Sequence, residues 1–279
     1  MTSLRHTPAS AGHARRRFGQ HFLASAWADK VVRAIAPARD ERFLEIGPGP
    51  GALTLRLASR VDHLTAIEID RDLAAALQPQ LPGNVDLVVG DILDADLAPY
   101  LAAGPLRIVG NLPYNISSPI LFKLLAAARA SGGPGGLIDA TVMLQLEVAE
   151  RLAARPGTKD YGVLTIFTAL QAGVQRVLTL PPGAFRPPPR VHSAVVKLTF
   201  RPSPLPAGSE AAFETMVRTM FMQRRKTLLN ALRPYAEPAG HDTKQALTEA
   251  GIDPVRRPET LSQDDLIRLV SVFAPTPKA

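Results

Sequence analysis

Five short apolar runs, set apart by helical stretches, constrain this chain more than any other feature. They open RFLEIGPGPG (42–51) and fill HLTAIEID (63–70), VDLVVGD (85–91), LRIVGN (106–111) and LIDATVMLQL (137–146). Each has the length of a strand rather than a helix, and continuous apolar character is what a strand covered on both faces requires. ALTLRLASR (52–60), RDLAAALQPQL (71–81) and SPILFKLLAAARA (118–130) lie between them with helical spacing. Strand and helix alternating at this rhythm predict a parallel, doubly wound α/β sheet.

AWADKVVRAIA (26–36) predicts a helix ahead of the sheet, and EVAERLAA and YGVLTIFTALQA predict two more after it. VQRVLTL and AVVKLTF alternate like paired strands and predict antiparallel edges. RPSPLPAGS (201–209) reads as a linker, and 210–272 as all-helical. The expected division is a basic, disordered N-terminus at 1–14, an α/β domain at 15–203 and a small all-helical domain at 204–279.

The chain has 279 residues, 46% hydrophobic, and no apolar run near the ~20 residues of a membrane span. MTSLRHTPASAGHARRR lacks an apolar core for a secretory signal, so a cytoplasmic protein without a membrane partner is expected. With no cysteine, disulfides, thiolate zinc sites and cysteine nucleophiles are excluded. The net charge of +7, with clusters at Arg15-Arg16-Arg17, Arg224-Arg225-Lys226 and Arg256-Arg257, points to a polyanionic partner. The 5% aromatic content is too low for a stacking platform of the single-strand-binding kind.

The strand ends carry the chemistry. Gly47, Gly49 and Ala52 fit the pattern G-x-G-x-x-A, in which glycines let backbone approach a ligand, although a plain Gly/Pro turn would look the same. Glu68, 21 residues past Gly47, stands where a carboxylate accepts from ribose hydroxyls, or where a solvated acid ends a strand. Asp70 and Asp72 read as solvated acids at the strand end, or Asp70 as the cap of the next helix. Asp91 ends the third strand and Asn111 the fourth. Four successive strand ends bearing polar or glycine residues mark the crevice of an open α/β sheet.

Asn111-Leu112-Pro113-Tyr114 follows at once. The amide oxygen of Asn111 and a nearby backbone carbonyl can accept from an exocyclic amino group, Pro113 fixes the turn, and Tyr114 can stack on a flat base. An aromatic amine is a poor nucleophile because its lone pair is conjugated with the ring. Two acceptors draw its hydrogens out of conjugation and aim the lone pair at an electrophile. The amine becomes acidic as it is alkylated, so no strong base is needed first.

Gly47-x-Gly49, Glu68, Asp91 and Asn111-Leu-Pro-Tyr114 resemble the S-adenosylmethionine-dependent adenine N6-methyltransferases. RRRFGQHFL (15–23), AFRPPPRVHSAVVKL (184–198) and MFMQRRKTLLNAL (220–232) bring the chain closer to the ribosomal RNA adenine dimethyltransferases, over roughly residues 15–272. The resemblance implies a Rossmann-like methyltransferase domain with a C-terminal helical domain. It implies S-adenosylmethionine as methyl donor, with His21 and Leu23 over it, Gly47 and Gly49 at its methionine part, Glu68 on the ribose and Asp91 on the adenine amine. His21 stands where the family usually has Asn. Asn111 would hold the target amine beside the donor, with backbone from Leu112 and Pro113, and Tyr114 would stack on the target base with Phe185 on its other face.

Phe185 also sits in a proline-stiffened loop, PPGAFRPPPR (181–190), which suits base capture, or equally a small core beneath the loop. Arg224, Arg225 and Lys226 on a predicted helix, and Arg15, Arg16 and Arg17, would bind RNA phosphates; a solvated helix face is the plainer reading of the first three. His192 and His241 have no metal-ligand spacing, and the chemistry requires no metal.

The expected reaction is in-line methyl transfer to the N6 amines of two adjacent adenines in the 3′-terminal hairpin loop of small-subunit rRNA. The substrate would be a nearly assembled small ribosomal subunit, met by a monomer. The alternatives are a large-subunit rRNA methyltransferase of the antibiotic-resistance type, an assembly factor whose methylation is secondary, and a nicotinamide dehydrogenase using the same glycine loop.

Overall fold

The computed structural model describes residues 20–132 and 135–273. Nine strands and eleven α-helices occur among them. The central sheet contains β2 (Arg42–Ile46), β3 (His63–Glu68), β4 (Val85–Val89), β5 (Leu106–Asn111), β6 (Leu137–Gln145), β7 (Ala172–Leu180) and β9 (Ser193–Phe200). Their order is β4-β3-β2-β5-β6-β9-β7. The β2–β6 strands run parallel, and β9 runs antiparallel to both β6 and β7, as the alternating segments predict. A separate two-stranded ribbon pairs β1 (Phe22–Leu23) with β8 (Phe185–Arg186).

From β2 the chain moves outward through β3 and β4, then returns to lay β5 on the other side of β2. That reversal makes the gap between β2 and β5 a switch point, where flanking connections diverge and leave a crevice at the carboxyl ends. The period-two geometry of a strand then sorts side chains into two cores. Ile108 joins a cluster with α5 (Ser117–Ala130), while its neighbour Val109 joins another with α1 (Ser25–Ile35). The buried residues of α5 are Ser117, Ile120, Leu121, Leu124, Leu125 and Ala128, the i, i+3, i+4 stripe that buries one helical face.

After an irregular stretch at 201–209 come α8 (Glu210–Met222), α9 (Leu228–Ala236), α10 (Thr243–Glu249) and α11 (Gln263–Phe273). Their apolar faces extend the α5-side core. Phe213 of α8 packs edge-on against Phe167 at 5.9 Å, and Phe167 against Phe122 at 6.0 Å. The Tyr161 hydroxyl donates to the Leu261 carbonyl at 2.7 Å.

Two expected helices differ. The segment after the glycine loop forms only the short α2 (Thr54–Ala58), because Gly47, Gly49 and Gly51 all take positive φ and carry the turn further along the chain. Arg224-Arg225-Lys226 does not continue α8; it forms the turn between α8 and α9.

Gly110 fixes how closely β5 approaches β2. It pairs with Ile46, and a Cβ there would lie 2.7 Å from the Ile46 carbonyl oxygen. Gly110→Ala should therefore cost about 1–3 kcal/mol, the usual penalty for overpacking. Chemical denaturation checks it; unchanged stability would mean that the strand pair yields freely.

Candidate active site

The crevice at the switch point is lined by the ends of β2, β3 and β5, the turn after β4 and the β1 segment. It gathers His21, Leu23, Gly47, Gly49, Glu68 and Asp91 with the run Asn111, Leu112, Pro113 and Tyr114. Among the described residues no group of three or more His, Cys, Asp or Glu is placed to hold a metal ion. No helix among them is long and apolar enough to cross a membrane.

The glycine loop is tied to the next strand by a carboxylate. Glu68 is 4% exposed and accepts from the Gly49 N–H through Oε2 and from the Asp70 N–H through Oε1, both at 2.9 Å. Burial pushes its carboxyl above the ordinary value, although these bonds favour the ionised form. A carboxylate has about four lone-pair sites, so the group keeps accepting capacity for a ligand hydroxyl. Gly47, at φ +66°, has open space where a Cβ would stand. Because the Gly49 N–H already serves a carboxylate, the loop is poorly set to cradle a pyrophosphate, which weighs against the dehydrogenase alternative.

Asp70 caps α3 (Arg71–Leu77), accepting from Asp72 and Leu73. Asp91 uses Oδ1 to accept the Leu93 N–H at 2.8 Å and so closes its own turn at the crevice wall. Glu45 was missed by sequence reasoning. It lies inside β2, is 2% exposed and lines the same crevice; its Oε2 has no hydrogen-bond partner, and burial pushes its carboxyl up to about 8. An acid within an apolar run was the only signal, and it did not tell which way the side chain points.

Asn111 ends β5, and its Nδ2 donates to the His21 carbonyl oxygen at 2.6 Å. A carbonyl can only accept, so this bond fixes which end of the amide is the nitrogen and leaves Oδ1 as the acceptor. The Pro113 carbonyl takes the Ile116 N–H at 3.2 Å, closing the turn that carries Tyr114. The Tyr114 hydroxyl shares a hydrogen with Ser193 Oγ across 2.6 Å, and the His21 ring stacks on the Tyr114 ring with centroids 5.4 Å apart. Ser193 was also missed; nothing in its spacing sets it apart from any first residue of a strand.

Two expected placements are corrected. Phe185 is fully buried and belongs to the core with Ala28, Val31 and Val32 of α1, because pairing of β8 with β1 turns it under the loop. It is not among the residues that line the crevice, where it was expected on the far face of the target base. Arg224 is not free for phosphate: it pairs with Glu259 at 2.7 Å and donates to the Lys159 carbonyl at 3.2 Å. Arg225 and Lys226 are exposed. Arg15, Arg16 and Arg17 lie outside the described residues.

If Phe185 is a core side chain, Phe185→Ala should cost about 3–5 kcal/mol of stability. Phe185→Leu should fold and keep its activity, because no base depends on that ring; a Leu variant with native stability and no activity would restore the stacking role.

Known proteins resemble this chain in sequence and in fold. Ribosomal RNA small subunit methyltransferase A of Bordetella pertussis is 46% identical over 95% of this chain and 96% of its own length. The protein of that name from Nitrosococcus oceani is 47% identical over 92% of this chain and 96% of its own. Among solved structures, the 23S rRNA methyltransferase ErmE matches with a TM-score of 0.65 and 28% identity, over 90% of this chain and 99% of that one. A dimethyladenosine transferase from Plasmodium falciparum has a TM-score of 0.69 at 24% identity, over 89% and 96%, which supports the Rossmann-like methyltransferase fold. The family model described as ribosomal RNA adenine dimethylase matches residues 11–275, and the chain belongs to that family.

Proposed function

We propose that this protein transfers methyl groups from S-adenosylmethionine to the N6 amines of two adjacent adenines in the 3′-terminal hairpin loop of small-subunit rRNA, with the small ribosomal subunit as its substrate. The observation that carries this reading is Asn111, whose amide is turned by the His21 carbonyl so that Oδ1 accepts, next to the ring of Tyr114. Relatives at 46% and 47% identity named for the small subunit favour that substrate over the large subunit named for ErmE, at 28%.

The crevice suits the donor on the chemistry of its own residues. Open space at Gly47 leaves room beside the loop, Glu68 keeps lone pairs for ribose hydroxyls, and Asp91 keeps Oδ2 for an adenine amine. Leu23 offers apolar cover. S-adenosylmethionine would supply an electrophilic methyl group on a sulfonium. Asn111 Oδ1 and the Leu112 carbonyl would accept the two hydrogens of the target amine and orient its lone pair. Tyr114, pinned at its hydroxyl by Ser193, would hold the base plane. None of these roles calls for a metal.

The RNA-facing surface would include the turn after α8. The Leu228 N–H donates to the Arg256 carbonyl at 2.7 Å and the Leu229 N–H to the Pro254 carbonyl at 3.1 Å, laying two basic segments side by side. Arg256 is consumed by Asp265 at 3.1 Å, which leaves Arg225, Lys226 and Arg257 exposed together. Such a cluster binds phosphates and sets register without reading sequence. In this reading residues 15–203 perform the chemistry and 204–279 help to seat the particle, with Arg15, Arg16 and Arg17 adding contacts.

The test is to incubate the protein with labelled S-adenosylmethionine and small subunits lacking the adenine marks, then map the label. Dimethyladenine at two neighbouring hairpin positions, reduced at least ~100-fold in Asn111→Ala, is expected, in line with the loss of a well-placed polar group in a catalytic site. Label on large-subunit rRNA would move the protein to the resistance type. Tight subunit binding without label would make it a binding factor.

Glu45 yields a second prediction. Its folded pKa of about 8 exceeds its ordinary 4.5, so the folded state keeps a proton that the unfolded chain releases. Stability should fall as pH rises from about 4.5 and level off above about 8. In thermal melts without cofactor, Glu45→Gln should gain on the parent steadily across that window. A Tm difference that does not change with pH would contradict the assignment.

A further inference from the structure

We propose that His21 is a positioning residue for the target base, acting through the ring of Tyr114. The inference rests on the base-binding role of Tyr114 given above. Its ring has two side-chain restraints: the hydroxyl meets Ser193 Oγ at 2.6 Å, and one face is covered by the His21 imidazole at 5.4 Å with 28° between the planes. A hydroxyl contact alone still lets a phenol ring rock about its long axis. A second ring laid on its face stops that motion.

His21 is itself held. Its Nδ1 lies 2.7 Å from the Pro187 carbonyl oxygen, which can only accept, so Nδ1 carries the proton there and the imidazole plane is set by the β8 loop. The main chain of the same residue takes the Asn111 amide at 2.6 Å. One residue thus serves both parts of the target site, its carbonyl turning the amide and its ring backing the tyrosine.

The geometry also says which face the base takes. A base between the two rings would need centroids about 7 Å apart, twice the ~3.5 Å contact distance of carbon atoms. The observed 5.4 Å leaves no such gap, so the base stacks on the opposite face of Tyr114 and His21 does not touch it. An asparagine at this position would keep the backbone contact and lose the ring.

The experiment compares His21→Ala, His21→Asn and His21→Phe in the full chain. KM and kcat are measured with unmarked small subunits, and the Kd for S-adenosylmethionine is measured alone by calorimetry. Loss of one aromatic pair should lower kcat/KM for the subunit about fivefold to tenfold in the Ala and Asn variants. His21→Phe should recover most of the loss because it restores the ring. Ala or Asn activity at or above the parent's would overturn the proposal by showing that the ring obstructs the base. Weakened cofactor binding with an unchanged subunit KM would overturn it by making His21 a cofactor contact. A hairpin carrying 2-aminopurine at the target position separates this proposal from the functional reading. Its fluorescence should be quenched on binding the parent and His21→Phe, and less on binding His21→Ala, whether or not methyl transfer occurs. Equal quenching by His21→Ala would overturn the proposal, whereas failure of the parent to methylate any rRNA adenine would overturn only the functional reading.

Discussion

The hydrogen bond from Asn111 Nδ2 to the His21 carbonyl is the interaction on which the site depends. An amide can present a donor or an acceptor, and the two ends have nearly the same shape. Accepting a hydrogen from an amine requires the oxygen end. The bond settles that choice with a backbone group from outside the central sheet, brought there by the pairing of β1 with β8. Asn111 is carried to the meeting point by β5, whose close approach to β2 depends on Gly110 having no side chain. In the proposed reaction the amide would thus be set before the base arrives, and positioning would lower the barrier without a strong base.

Charge is arranged around that centre in two layers. The crevice is lined by the acids Glu45, Glu68 and Asp91, of which Glu45 is pushed up to about 8 by burial, in a chain whose net charge is +7. Those acids face inward, and Glu68 and Asp91 suit a ligand with hydroxyls and an exocyclic amine. The exposed cations lie elsewhere, at Arg225, Lys226 and Arg257, where two distant segments meet. A small cationic donor and a large anionic substrate can thus be accommodated by one basic protein on separate surfaces.

Much of the sheet was legible because strands buried on both faces read as continuous apolar runs, and the crevice residues sit at the ends of those runs. Gly47, Glu68, Asp91 and Asn111 were found by that rule, and the structure brings all four to one crevice. What could not be read was anything set by pairing across the chain. Phe185 could be read as exposed in its proline loop or as a small core beneath it, and the ribbon with β1 decides for the core. Arg224 looks like part of a free basic triplet until Glu259, 35 residues away, is folded against it. The partnership of Tyr114 with Ser193 spans 79 residues and leaves no local pattern. The shortness of α2 was visible in principle, since three closely spaced glycines can keep a turn open, but helical spacing in the following residues obscured it.

The central claim is that Asn111 Oδ1 accepts the target amine while Nδ2 stays on His21. The most direct test is a crystal structure of the protein with a nonreactive S-adenosylmethionine analogue and the RNA hairpin, at a resolution that fixes the amide from its contacts. The account predicts the adenine N6 within hydrogen-bond distance of Asn111 Oδ1, with Nδ2 still bonded to the His21 carbonyl. An adenine ring nitrogen bound to Nδ2, with the His21 bond broken, would contradict it.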